Sequence, residues 1–192
     1  VILIFVGNPQ FLPFLWIGGT GVGFIGIFLS LESYRLERLA IWRNPELYEK
    51  GYQTMQGLYA IGSGGLFGVG LGESMQKLGF VPEAQNDMIF SIICEELGLT
   101  GAVAVLVIFG LLIWRLMVIA TWTKDLFGAL LAAGVMGHIM IQVILNVAVV
   151  TNTIPNTGIT LPFVSYGGTS VVFLLLEMGI ALSVSRGVRK EH

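Results

Sequence analysis

The feature that most constrains this chain is an unbroken uncharged run from Leu97 to Trp114. At about 1.5 Å per residue, a helix over this run nearly crosses a hydrocarbon core of about 30 Å. Hydrophobic residues make up 55% of the chain and charged residues 11%, whereas about a quarter of the residues of a soluble domain are charged. The sequence therefore predicts an all-α fold, a polytopic transmembrane helix bundle.

The apolar runs predict how the chain is divided. We expect four complete spans, at about residues 11–31, 89–120, 126–150 and 163–185. The polar segment 32–88 is too long for a structureless connection, so we expect a large extracellular loop with short helices. Because the chain opens inside the apolar run Val1–Val6, we expect residues 1–192 to be the C-terminal part of one membrane domain.

Glycines are concentrated in one part of the long polar segment. Six of them lie between Ile61 and Gly72 and disfavour a regular spanning helix there. They allow the backbone either to re-enter the membrane surface or to approach a ligand closely. A second glycine pattern, G-x-G-x-x-G at Gly21–Gly26, lies in the middle of a predicted membrane helix without a neighbouring strand, so we reject dinucleotide binding.

Charge and cysteine content exclude several classes of function. The formal net charge of −2 argues against a nucleic-acid partner. The single cysteine, Cys94, excludes an internal disulfide and any cysteine-rich metal site.

The orientation of the chain follows from its short connections. The tail carries Arg186, Arg189 and Lys190, and the short loop after the second span carries Lys124, whereas residues 151–162 carry no basic residue. The positive-inside rule then places the C-terminus in the cytoplasm. Asp87 and its loop therefore face the outside of a plasma membrane.

Asp87 is one of only two aspartates in the chain and precedes the uncharged run by about two to three helical turns. A carboxylate there is partly desolvated yet reachable from water, as a catalytic base requires. The alternative is that Asn86 or Asp87 only caps a helix that begins at Met88. The residue type by itself leaves both interpretations open.

Two further polar features lie inside predicted spans. His138, Gln142 and Asn146 are four residues apart and form one polar stripe, which is typical of interhelical hydrogen bonds. A proton path or a substrate groove is the alternative. Glu177 lies in the last span, where a carboxylate is costly unless it is partnered. We predict that it is paired within the bundle and structural.

Three blocks of the sequence resemble the SEDS family of bacterial cell-wall polymerases, the shape, elongation, division and sporulation proteins. They occur in family order over most of the chain, at residues 51–68 (Gly51-Tyr52-Gln53, then Ala60 to Gly68), at residues 82–98 (Pro82-Glu83, Asp87 to Phe90, Glu95 to Gly98) and at residues 160–170 (Thr160-Leu161-Pro162, Ser165 to Ser170). Asn146–Thr151 and Asn156–Gly158 look more like the FtsW and SpoVE branch of Gram-positive bacteria than like RodA. Many relatives have His-Thr where this chain has Gln85-Asn86, and some have Lys in place of Thr157.

The resemblance implies a peptidoglycan glycosyltransferase that polymerises lipid II into glycan strands during cell division. It implies an inverting reaction with Asp87 as general base and undecaprenyl diphosphate as leaving group. The leaving group needs positive charge, supplied by basic side chains or by a divalent cation, Mg²⁺ or Mn²⁺. The substrate-binding residues that follow from the resemblance are Lys77, Gln76, Glu83, Arg35, Arg38, Ser165 and Tyr166.

The resemblance also implies partners, which are lipid II, a class B penicillin-binding transpeptidase and other membrane proteins of the division machinery. Two other functions remain open on the residues. A lipid II flippase or transporter would use Glu177 and the His138 stripe, although no inverted repeat supports it. A non-enzymatic division scaffold would recruit the transpeptidase without chemistry of its own.

Overall fold

A computed structural model describes residues 19, 33–76 and 85–189 of the chain, and every regular element in these ranges is helical. The elements are α1 (Ser33–Arg43), α2 (Tyr52–Gly64), α3 (Ile89–Trp122), α4 (Leu126–Val150) and α5 (Gly168–Arg189), with the 3₁₀ turns Pro45–Leu47 and Glu49–Gly51 between α1 and α2. The predicted all-α bundle with short helices in the long segment is confirmed. The predicted span at 11–31 lies outside the described residues except for Gly19.

Three of the described helices are long and apolar enough to cross a membrane, namely α3, α4 and residues Gly168–Gly187 of α5. Helix α3 packs along α4 and α2, and α5 packs on α4 and α3. The side chains buried between them are mostly aliphatic or aromatic, among them Phe109, Leu116, Ile139, Val143 and Leu174. The chain is therefore a membrane protein.

The last span begins at Gly168, five residues later than predicted. Residues 161–165 form a turn instead of helix, because the Leu161 N–H donates to Ser165 Oγ at 2.7 Å and the Ser165 N–H donates to the Leu161 carbonyl at 3.1 Å. Phe163 within this turn has a φ of 62°, outside the helical region.

Helix α3 is broken at Gly98, whose φ of 67° and ψ of −166° are not helical. The break exposes backbone donors and acceptors, and the glycine-rich segment after α2 satisfies them. The N–H groups of Leu99 and Thr100 donate to Gly65 and Leu66 at 2.9 and 3.1 Å. In the opposite direction, the N–H groups of Val69 and Gly70 donate to Glu95 and Glu96 at 3.0 and 3.1 Å. Within a bilayer each such group left unpaired would cost several kcal/mol.

The two backbones lie so close that only glycine fits between them. A Cβ on Gly98 would lie 2.3 Å from the Gly68 nitrogen, and a Cβ on Gly68 would lie 2.1 Å from the Glu96 oxygen. A Cβ on Gly64 would meet the Cys94 oxygen at 1.9 Å. We call this contact of residues 64–70 with residues 94–100 the glycine interlock. The close approach that the glycines allow is thus to the protein's own backbone.

A buried side-chain contact reinforces the interlock. Ser74 Oγ donates a hydrogen bond to the Glu95 carboxylate, and both residues are almost fully buried. The serine holds the end of the glycine-rich segment against α3. The carboxylate of Glu95 therefore serves the packing of the segment and lies outside the pocket described below.

We predict that Gly98→Ala destabilises the full-length protein strongly. A left-handed φ costs an alanine about 1–2 kcal/mol, and the new Cβ would collide with backbone atoms of the interlock. Gly110→Ala in the same helix is the matched control, since no atom lies within 4 Å of its added Cβ and helix propensity favours alanine. Thermal unfolding in detergent measures both variants. An unchanged melting temperature for Gly98→Ala would contradict the interlock.

Candidate active site

Asp87 lies in a turn of residues 85–88 at the N-terminal end of α3, and it is 8% exposed. The helix begins at Ile89 with Met88 in the N-cap position. The helix thus starts one residue later than predicted, and the N-cap position falls on Met88 and not on Asn86 or Asp87. Asp87 Oδ1 accepts a hydrogen bond from Gln53 Nε2 at 3.2 Å. Gln53 is in the first turn of α2, so α2 orients the carboxylate.

Asn146 fixes the backbone of the same aspartate from α4. Its side chain is fully buried, and Nδ2 donates to the carbonyl of Asp87 and to the carbonyl of Ile159, each at 2.8 Å. One turn earlier, Gln142 Nε2 donates to the Thr160 carbonyl at 3.1 Å. The polar stripe of α4 thus makes the tertiary hydrogen bonds that were predicted for it, and it ties the Asp87 turn to the loop before α5.

The Asp87 carboxylate faces a pocket of about 390 Å³. Its walls come from α1, the start of α2, the Asp87 turn and the loop after α4. The lining residues are Glu37, Arg38, Ile41, Trp42, Gln53, Thr54, Asp87, Asn152, Asn156, Thr157 and Gly158. We call this space the Asp87 pocket.

Helix α1 is held across the pocket by hydrogen bonds to the loop after α4. Trp42 Nε1 donates to the Asn152 carbonyl at 2.9 Å, and Asn152 Nδ2 donates back to the Trp42 carbonyl at 3.4 Å. Arg38 Nη1 donates to the Asn156 carbonyl at 3.1 Å. Asn152 has a φ of 54°, a conformation that asparagine tolerates better than most residues. These bonds place one cation and one indole in the wall of the Asp87 pocket.

The pocket is suited to a ligand with hydroxyl groups. Amide and hydroxyl side chains offer hydrogen bonds and the tryptophan offers an apolar face, while Arg38 offers positive charge and Glu37 and Asp87 offer negative charge. In the part of the chain that the structure describes, no three His, Cys, Asp or Glu residues come together as a metal site would require. The predicted divalent cation therefore stays a prediction, and no step is assigned to it.

Of the residues predicted to bind substrate, Arg38 lines the Asp87 pocket and the other described ones do not. Ser165 is buried, and its oxygen accepts the Leu161 N–H within the turn before α5. Tyr166 has an exposed side chain, and its N–H donates to the Gln85 carbonyl at 2.8 Å, beside the Asp87 turn. Gln76 lies at the end of the segment that Ser74 holds on α3. The roles of these residues stay predictions.

Three other predicted residues cannot be placed in the site. Lys77 and Glu83 lie outside the described residues, and so does the side chain of Arg35, whose backbone belongs to α1.

Sequence reasoning missed several residues of the pocket. Gln53 stood in a block that was recognised, but without a role. Trp42 and Asn152 are 110 positions apart, so no sequence spacing relates them. Thr157 lines the pocket at the position where some relatives carry a lysine. The Gly51-Tyr52-Gln53 motif was the sequence signal from which a role for Gln53 could have been inferred.

A second polar site lies between α4 and α5. His138 Nδ1 on α4 is 2.8 Å from Glu177 Oε2 on α5, and the two side chains are 52% and 29% exposed. The predicted pairing of Glu177 with another helix is confirmed. Neither residue lines the Asp87 pocket.

We predict that Glu177→Gln and His138→Ala each lower the melting temperature, because the first removes the charge of the carboxylate and the second removes its hydrogen-bond partner. In the double variant the two losses should not add, since both remove the same interaction. Thermal unfolding of the four proteins measures the cycle. Fully additive losses would show that the two side chains do not stabilise each other.

Comparison with known proteins supplies relatives for the whole chain. A family model for FtsW/RodA/SpoVE, described as "Cell cycle protein", matches residues 1–190. Stage V sporulation protein E of Bacillus subtilis is 46% identical over 97% of this chain and 51% of its own length. The probable peptidoglycan glycosyltransferase FtsW of Trichlorobacter lovleyi is 39% identical over 98% of this chain and 50% of its own length. The chain thus spans about half the length of the curated relatives it matches.

Two solved structures have the same fold. One comes from the study "Structural coordination of polymerization and crosslinking by a peptidoglycan synthase complex". It matches with a TM-score of 0.76 and 28% sequence identity, and the match covers 97% of this chain and 52% of that chain. The other is the D255A mutant of the rod shape determining protein RodA of Thermus thermophilus. It has a TM-score of 0.53 and 36% identity, and covers 68% of this chain and 39% of that one.

Proposed function

Since the chain belongs to the FtsW/RodA/SpoVE family, we propose that the full-length protein is a peptidoglycan glycosyltransferase that polymerises lipid II during cell division. The observation that carries the proposal is the Asp87 carboxylate, which is oriented by Gln53 and faces a polar pocket. The names of the relatives as probable peptidoglycan glycosyltransferases support the activity. Lipid II as substrate and inversion at the anomeric carbon are parts of the proposal.

The proposed reaction needs one base. A sugar hydroxyl of one lipid-linked disaccharide attacks the anomeric carbon of another, and Asp87 takes the hydroxyl proton as the new C–O bond forms. The bond from the anomeric carbon to the diphosphate breaks on the opposite side, so the configuration inverts. Undecaprenyl diphosphate leaves as a stable anion, and therefore a second carboxylate acting as acid is unnecessary.

The negative charge that develops on the leaving diphosphate requires a positive group nearby. Arg38 lines the same pocket as Asp87 and is the described cation best placed for this role. Lys77 and Arg35 are proposed to contribute as well, on the strength of the family resemblance. A guanidinium suits the task because its donors match two phosphate oxygens at once.

The proposed reaction predicts that Asp87→Asn folds normally and loses polymerisation. Asparagine keeps the shape and an oxygen that can accept from Gln53, but it cannot take the proton. General-base contributions are about 10²- to 10⁴-fold, and we expect a loss of that size. The measurement is glycan chain formation from lipid II by purified full-length protein with its transpeptidase, together with a melting curve.

Two matched controls accompany this variant. Asp125→Asn changes the other aspartate, which caps α4 by accepting the Gly128 N–H at 2.8 Å, and asparagine caps about equally well. Glu177→Gln tests the transport alternative, for which the exposed His138–Glu177 pair is the favouring observation. Both controls should keep most of their turnover. Wild-type polymer from Asp87→Asn, or loss of polymer from a folded Glu177→Gln, would overturn the assignment.

The proposed activity requires the Asp87 pocket to open outside the plasma membrane, with the C-terminus in the cytoplasm. Support comes from Lys124 and Arg186, which lie at the opposite end of the described spans from Asp87. We predict that a membrane-impermeant thiol reagent applied to intact cells labels a Glu73→Cys variant and leaves a Ser185→Cys variant unlabelled. Glu73 is chosen because its side chain is exposed, whereas the neighbouring Ser74 is buried. Labelling of Ser185→Cys alone would show that the topology is the opposite of the proposed one.

We also propose a class B penicillin-binding transpeptidase as partner, since glycan strands made at this surface need crosslinking there. The similarity to a structure from work on a peptidoglycan synthase complex supports such a pairing. The non-enzymatic scaffold remains the alternative here. It predicts co-purification with the transpeptidase but no polymer from the purified pair.

A further inference from the structure

The glycine-rich segment after α2 exposes a row of large apolar side chains. Leu66, Phe67 and Leu71 are 62%, 80% and 77% exposed, and Val69 between them is 47% exposed. No charged residue lies between Lys50 and Glu73 in the sequence. Such a patch on a loop is rarely left in water. We call residues 66–71 the apolar wedge.

The glycine interlock fixes the depth of the apolar wedge relative to the membrane helices. Leu66 accepts a hydrogen bond from Thr100, and Gly65 beside it accepts one from Leu99. Leu66 therefore lies level with the start of the uncharged run of α3, and Val69 and Gly70, which donate to Glu95 and Glu96, lie about one turn nearer Asp87. Leu99 and, one turn further along, Val103 are themselves 56% and 49% exposed. The wedge is thus continuous in depth with the exposed apolar surface of a spanning helix.

The other end of α3 gives an independent estimate of where the hydrocarbon lies. Trp114 and Trp122 are 59% and 61% exposed, as in the aromatic belts at membrane interfaces. Measured along the helix, the point midway between them is about 30 Å from Leu99. That distance equals the thickness of a hydrocarbon core of about 30 Å. Leu99, and with it Leu66 at the start of the wedge, thus lies at the hydrocarbon boundary on the Asp87 side.

We propose that the apolar wedge inserts among the acyl chains of the leaflet on the Asp87 side. Its backbone can lie there because the interlock satisfies the polar groups of both the wedge and the broken helix. Because the wedge contains no charged residue, it is suited to contact with acyl chains and not with lipid headgroups. The wedge and Gln53 are attached to opposite ends of α2, so insertion of the wedge fixes the distance of the Asp87 pocket from the membrane. This last consequence rests on the proposed function, since that distance determines how the pocket meets the diphosphate of a lipid-linked substrate.

The experiment uses full-length protein with its native cysteines replaced by alanine, reconstituted in nanodiscs of phosphatidylethanolamine and phosphatidylglycerol. A nitroxide label is attached to Phe67→Cys or, as a second probe, to Leu71→Cys. Power saturation then compares collisions with oxygen, which concentrates in lipid, and with a water-soluble nickel chelate. Val107→Cys, 53% exposed within the span, is the lipid control. Glu46→Cys, exposed between α1 and α2, is the water control.

For both wedge labels we expect the ratio of oxygen collisions to nickel collisions to be several-fold higher than for the label at Glu46→Cys. Nickel collisions as frequent as at Glu46→Cys would show that the wedge lies in water and would overturn the proposal. Few collisions with either reagent would show that protein covers the wedge, which also overturns it. Turnover does not enter the measurement, so failure of the proposed activity leaves this result unaffected.

Discussion

Four backbone hydrogen bonds across the break in α3 carry the architecture of the site. A helix interrupted inside a bilayer must find partners for its freed donors and acceptors, and here the glycine-rich segment supplies them. The residues Ile89–Leu97 before the break become a short helical unit of their own, with Asp87 at its N-terminal end. The same bonds anchor the end of α2, whose first turn presents Gln53 to the carboxylate. One constraint thus positions both members of the Asp87–Gln53 pair.

The site combines burial with polar contact in a way that suits proton transfer. Asp87 is largely shielded from bulk water, yet amide and hydroxyl groups and a guanidinium surround the pocket that it faces. Charges interact more strongly in such surroundings than in water, so a few well-placed groups have a large effect. The His138–Glu177 pair shows the contrasting solution, in which a partly exposed carboxylate is matched to a histidine of the neighbouring helix.

Most of the architecture could be predicted from the sequence, because it depends on local patterns. Uncharged runs marked α3 and α4, and the four-residue spacing of His138, Gln142 and Asn146 indicated hydrogen bonds to other elements. The pocket could be predicted only in part, because its walls meet through tertiary contacts. Trp42 and Asn152 are 110 positions apart, and nothing in either neighbourhood indicates the other. The late start of α5 depended on a side-chain bond within the turn of residues 161–165, which hydropathy does not record.

The double contact of Asn146 has a consequence for how chain length can vary in this region. A surface loop ordinarily tolerates added or deleted residues, because its ends are held and its middle is not. Here one amide nitrogen holds the carbonyls of Asp87 and Ile159 together. A change of length within residues 153–158 leaves both contacts of Asn146 in place, although it alters the pocket wall that Asn156, Thr157 and Gly158 form. A change of length between Asn146 and Val150, or between Ile159 and Gly168, would shift the register on which both contacts depend. These two flanking segments should therefore keep a fixed length even where their residue types can change.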